Sequence, residues 1–160
     1  VSYAAIFGRQ VVDFHGLAEF RERIAELPDR ARAARQTELI DKGLGASFVP
    51  DHIRLHAKVL TEMDAALTIS PWLAGDDFSL ADIAIQPYVW RLERLGLNRM
   101  WADLPGVADW LARSKERPSW DAAMEAYPSL VGTGVEDYDD DLVSMGTDIW
   151  PQVAPILAEV

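Results

Sequence analysis

The sequence contains no cysteine. Disulfides, thiolate nucleophiles and cysteine-based zinc or iron–sulfur centres are thereby excluded, and any thiol chemistry must use a thiol supplied from outside. Positive charge is scarce. Lys and Arg total 15 against 26 Asp and Glu, a net charge of -11, which argues against a phosphate backbone or an anionic membrane surface as partner. No uninterrupted apolar run approaches the ~20 residues of a membrane-spanning helix, and no basic stretch followed by an apolar one opens the chain. The expectation is a soluble, cytoplasmic protein with neither nucleic-acid nor membrane partners. The sustained apolar–polar alternation of a half-buried strand is missing as well.

What is present is helical periodicity, over most of residues 1 to 126, so the chain reads as all-α. With 160 residues, about half of them apolar, it can bury one sizeable core. The opening VSYAAIFGRQVVDF places Tyr3, Ile6 or Phe7, Gln10 and Phe14 on one face, with no capping residue ahead of it, as in a chain that begins inside a helix: a fragment or a processed form. Leu17, Phe20, Ile24 and Leu27 continue the apolar stripe to Pro28, and a charge-rich helical stretch follows from Asp29 to Lys42. GLGASFVP, from Gly43, is a break. The next helix starts near Asp51 and runs to about Leu67, with Ile53, His56, Leu60, Met63 and Leu67 on its inner stripe.

The best-defined helix start is at FSLADIA. Ser79 stands three residues before Asp82, so its hydroxyl can accept from the Asp82 N–H while the Asp82 carboxylate reaches back to the Ser79 N–H: a capping box. Phe78 and Ile83 flank it as a hydrophobic staple. The helix from Ser79 to about Leu95 is apolar nearly all round in its first half, which predicts a central position in the bundle, with a bend at Pro87. Gly96 ends it. Pro105 to Arg117 forms another helix with Val107, Trp110 and Leu111 facing inward, and Ser119 caps a short one through about Ala126. Beyond Arg117 there are nine acids and no basic residue. Residues 1–131 therefore read as one helical domain. Residues 132–160 read as an acidic linker, GTGVEDYDDD, and a C-terminal extension with one weak helix that docks back.

The segment PWLAGDDFSLADIAIQPYVWRLERLGLNRMWADLPGVADWLARSKERPSW resembles the helical C-terminal domain of the glutathione transferases. The resemblance is carried by WLAGD before the cap, FSLADIA with its box and staple, PYVWRLERLGL along the helix, then VADW and RPSW. Within the family it looks most similar to bacterial β-etherase and dehalogenase-type members. It implies a transferase that uses glutathione as co-substrate and a small apolar electrophile, and that forms a homodimer. It also implies a thioredoxin-like N-terminal domain, absent from this chain, that binds glutathione and activates its thiol. The helical domain would line the electrophile pocket through its first helix, at Tyr3, Phe7, Gln10 and Phe14, and would have no catalytic residue of its own. The alternative is a non-catalytic helical module for protein interaction or apolar-ligand binding.

Other constellations are weak. Ser79 and Asp82 have no histidine nearby for a nucleophilic relay. His52 and His56 are spaced i, i+4 but lack the glutamate of HExxH and a third ligand, so no metal site is expected. The run from Asp137 to Asp148 places acids at calcium-loop positions, yet Leu142 occupies the turn where glycine is required. GLGASF lacks the third glycine of a dinucleotide loop.

Overall fold

The computed structural model describes residues 16–126 and 148–158. These residues form seven α-helices and no β-strand: α1 (Leu17–Ala25), α2 (Arg30–Lys42), α3 (Val49–Leu67), α4 (Leu80–Arg94), α5 (Pro105–Lys115), α6 (Pro118–Ala126) and α7 (Trp150–Leu157). Short 3-10 turns at Gly43–Gly45 and Asn98–Trp101 complete the set. The fold is all-α.

The core lies between α3, α4, α5 and α7. Its inner residues are Ile53, Leu60 and Met63 from α3, Val89 and Leu92 from α4, and Val107, Trp110 and Leu111 from α5. Ile149 and Val153 fill the same core from the C-terminal end, and α7 packs along α3. Two proline-containing turns of helix thus join a domain whose other core residues lie between 46 and 111. Asp148 prepares this turn by accepting from the Trp150 N–H at 2.9 Å, while Arg99 pairs with Asp148 and lies 5.7 Å from the Trp150 ring centroid.

Helices α1 and α2 are peripheral. Asp29 caps α2 by accepting from Arg32 N–H at 3.0 Å, but Ile24 and Ala33 are their only fully buried side chains among the described residues. Leu17, expected on the inner stripe, is exposed. The GLGASFVP break is a 3-10 turn that leads directly into α3, which starts at Val49 rather than near Asp51. Glu38 of α2 holds this junction through the Ser47 N–H and hydroxyl, at 2.8 and 2.9 Å.

Two glycines have specific duties. Gly96, at φ 70, closes α4 and lets the Leu97 N–H reach back to the Leu92 carbonyl at 2.9 Å, which delivers Leu97 into the core. Gly106, in the first turn of α5, donates its N–H to Asp64 Oδ1 of α3 at 2.8 Å. A Cβ there would meet that same oxygen at 2.9 Å and Leu67 Cβ at 3.1 Å.

Helix α4 departs from the central position its composition predicts. It runs through Pro87 without interruption, yet only Asp82, Val89 and Leu92 are fully buried. Leu80, Ile83 and Tyr88 are exposed, Leu80 by 81%. The all-round apolar pattern therefore has one face in the core and one at the surface. The short helix α6 starts at Pro118, one residue before the Ser119 expected to cap it, and presents Trp120 edge-on to Trp90 of α4 with ring centroids 5.4 Å apart.

Candidate functional site

Asp82 is fully buried, and its carboxylate is saturated with donors. Oδ2 accepts from the Ser79 N–H and hydroxyl, both at 2.9 Å, and Oδ1 accepts from the Leu73 N–H at 3.0 Å and the Trp110 indole N–H at 2.8 Å. The Ser79 oxygen in turn accepts from the Ala81 N–H at 3.2 Å, and both halves of the reciprocal cap are formed. Burial pushes the Asp82 carboxyl up, but the four hydrogen bonds outweigh it and hold its pKa below the usual carboxylate range. The Ser79 hydroxyl is thus committed to the cap, donating to Asp82 and accepting from Ala81. The pair ties together the turn before α4, the start of α4 and the middle of α5.

The turn from Trp72 to Gly75 is pinned from outside by α5. Trp72 and Gly75 exchange backbone hydrogen bonds at 3.1 and 3.2 Å, with Gly75 at φ 134. Arg113 donates to the Pro71 carbonyl at 2.7 Å, and the Arg117 guanidinium lies 3.9 Å from the Phe78 ring centroid. Phe78 also meets Trp72 edge-on at 5.0 Å. The ring that was expected to staple Ile83 is thus engaged by Trp72 and Arg117, and Ile83 is half-exposed.

A groove opens between α3 and α4, with a volume of about 200 Å³. Its walls are Leu55, Val59 and Leu60 on one side and Ile85, Val89 and Leu92 on the other, joined by His56 and Tyr88. The rim residues Leu55 and Tyr88 are largely exposed. His56 Nδ1 lies 2.6 Å from the His52 carbonyl oxygen, and burial lowers the pKa of the ring against the opposing effect of that hydrogen bond. His52 itself packs edge-on to Phe48.

Tyr3, Phe7, Gln10 and Phe14 lie outside the described residues, as does the acidic run up to residue 147. His52 and His56 are on one helix, but His56 is turned to the His52 backbone, and no group of three metal-ligating side chains occurs among the described residues. Asp148, the last acid of that run, is engaged with Arg99 and Trp150. The groove itself was missed in the sequence. Of its lining, only His56 and Leu60 belong to the inner stripe expected of α3, while Leu55 and Val59 lie beside that stripe.

Residues 45–118 match the family model described as glutathione S-transferase, C-terminal domain. That span contains the capped α4, the buried Asp82 and the α5 residues that hold it. Residues 45–118 are a glutathione S-transferase C-terminal domain. Among curated relatives, the glutathione S-transferase GstB of Escherichia coli is 37% identical over 57 residues, 36% of this chain and 26% of that protein. The disulfide-bond oxidoreductase YfcG of the same organism is 38% identical over 64 residues, 39% of this chain and 28% of that protein. The glutathione S-transferase TCHQD of Arabidopsis thaliana is 32% identical over 114 residues, 66% of this chain and 42% of that protein. The chain thus spans between about a quarter and two-fifths of the length of these relatives. These similarities are to the glutathione S-transferase family at large and single out no subgroup of it. No solved structure matches.

Proposed function

We propose that this glutathione S-transferase C-terminal domain supplies the electrophile-binding half of a glutathione transferase. In the reaction, the glutathione sulfur forms a bond to an electrophilic carbon of a small apolar molecule, and the leaving group departs with the electron pair of the bond that breaks. The observation that carries this reading is the family match over 45–118, centred on the Ser79–Asp82 cap that orients α4. The family resemblance gives the helical domain no thiol-activating residue of its own. An unperturbed thiol, at about 8.5, is mostly protonated at pH 7. Thiol activation is therefore assigned to a thioredoxin-like N-terminal domain of the intact protein, which also binds most of glutathione.

Tyr3, Phe7, Gln10 and Phe14 line the electrophile pocket in this reading. Aromatic faces suit an apolar substrate, and the phenol of Tyr3 can donate to negative charge developing on a ring or leaving group. The working unit is a cytoplasmic homodimer.

The test compares the 160-residue chain with a fusion in which the N-terminal domain of a glutathione transferase relative precedes it. With glutathione and a chromogenic aryl halide, the chain alone should show only the background rate, and the fusion should accelerate conjugation. Turnover by the chain alone would overturn the division of labour. A folded fusion that bound glutathione without accelerating conjugation would overturn the transferase assignment.

A further inference from the structure

Helix α7 depends on its neighbours for its own formation. At eight residues it falls short of the ~12–15 that an isolated helix needs in water. Pro151 suits the first turn, but Pro155 stands inside the helix and withdraws one backbone N–H from its ladder. Burial therefore holds the helix. Its main packing is along α3, with Val153 and the adjoining Ile149 in the core and Trp150, Ile156 and Leu157 partly buried against it. Pro151, Gln152 and Pro155 face solvent.

The rest of the domain is tied together without α7. Asp64 of α3 accepts from the Gly106 N–H of α5, and Asp82 of α4 accepts from the Trp110 indole of α5. No residue of α7 enters either contact. Its departure would uncover one side of the core and leave these bonds between helices in place.

Asp148 works at the entry to α7 with both carboxylate oxygens. Oδ1 accepts from the Trp150 N–H at 2.9 Å and turns the chain into the helix. Oδ2 lies 3.8 Å from Arg99 Nη1. Arg99 belongs to the Asn98–Trp101 turn, beside the buried Trp101, and its guanidinium also lies 5.7 Å from the Trp150 ring centroid. The entry to α7 is thus fastened to a fixed point of the core. Both members of the ion pair are more than half exposed, so the pair shifts the docking equilibrium by a small factor and does not lock it.

We propose that α7 is a reversible latch: it undocks from the domain as one unit well short of global unfolding, and the Arg99–Asp148 pair sets how often. Opening uncovers the apolar side of α3 on which α7 lies. The latch is a property of this chain and is independent of the transferase reading.

The test is native-state hydrogen exchange of the isotope-labelled 160-residue chain, read by NMR. The backbone amides of residues 153–158 should be protected and should share one opening equilibrium, while exchanging at least about tenfold faster than the slowest amides of α3 and α5. Asp148→Asn keeps an oxygen for the Trp150 N–H and removes the charge; it should raise α7 opening by roughly two- to fivefold. Arg99→Gln should do the same, and the two together should do no more than either alone. The slowest amides of α3 and α5 should be unchanged in all three variants, which shows the body of the domain intact. Exchange of α7 at the rate of those core amides would mean that it opens only by global unfolding, and would overturn the proposal. So would unprotected amides in α7, opening that differs residue by residue along it, or additive effects of the two substitutions.

Discussion

The indole N–H of Trp110 donates to Asp82 Oδ1 at 2.8 Å, joining the middle of α5 to the start of α4 inside the core. Of the four hydrogen bonds that converge on this carboxylate, it is the one that spans two helices. An asparagine at position 82 could offer one oxygen and would turn an NH2 toward donors. Asp82→Asn is therefore expected to leave two donors unpaired at ~1–3 kcal/mol each and to destabilise the domain by roughly 2–6 kcal/mol. Trp110→Phe removes one donor and should cost less. A double-mutant cycle by chemical denaturation should give a coupling of about 0.5–3 kcal/mol; additivity would mean that the indole bond does not contribute.

The same carboxylate gives the domain an acid sensitivity of known sign. The folded pKa of Asp82 lies below its ordinary value, so its stabilisation is complete above the unfolded value of ~3.9 and is lost as pH falls through the lower folded one. The gap in melting temperature between the native chain and Asp82→Asn should be constant from pH 7 to about 5. It should then close progressively below about pH 4. A gap unchanged at pH 2.5 would contradict this.

Gly106 is restricted by contact. Its N–H is satisfied by Asp64, and a methyl group would lie 2.9 Å from that carboxylate oxygen and 3.1 Å from Leu67 Cβ. Gly106→Ala should therefore destabilise by ~1–3 kcal/mol despite the better helix propensity of alanine. At ~2–4 °C per kcal/mol for a chain of this size, differential scanning calorimetry resolves it easily. Asp64→Ala should lose about 1 kcal/mol through the missing cap.

His56 should titrate below the ordinary histidine value of ~6.5, because burial opposes its charged form. The sign for stability follows: the neutral ring stabilises the fold above the unfolded pKa, and this contribution is lost as pH falls toward the folded one. Proton NMR of the imidazole against pH measures it directly. A midpoint at or above 6.5 would contradict the half-buried, neutral ring.

What could be read in the sequence was what is encoded locally. The Ser79–Asp82 spacing specifies a reciprocal cap within three residues, and Asp29 before α2 and Gly96 after α4 are equally local signals. The interactions that organise the site are not. Asp82 meets Trp110 across 28 positions, and Gly106 meets Asp64 across 42; nothing in the periodicity of either helix specifies such partners. The apolar first half of α4 was misplaced for a related reason. Composition reports that a helix face avoids water and does not report which neighbour covers it, so Leu80 and Tyr88, both at the surface, read the same as buried Val89. The groove was illegible because it exists only where two stripes, each ordinary alone, come side by side.

Helix α7 lies outside the span that matches the family, yet Val153 and the adjoining Ile149 are both buried in the core. Ile149→Ala should accordingly cost ~2–5 kcal/mol, as for a core residue anywhere else in the domain. Deleting residues 132–160 should lower the unfolding midpoint and raise binding of a hydrophobic dye. An unchanged midpoint would mean that α7 only rests on the surface.

That arrangement makes the C-terminus a tethered ligand of its own domain. Covalent connection to the domain gives α7 an effective concentration on the order of millimolar, so the helix can bind its neighbours weakly and still be docked nearly all the time. Supplied as a separate peptide, it would have to reach a comparable concentration to refill the vacancy. A protease cut in the connecting segment would convert an intramolecular equilibrium into a dilution-sensitive one.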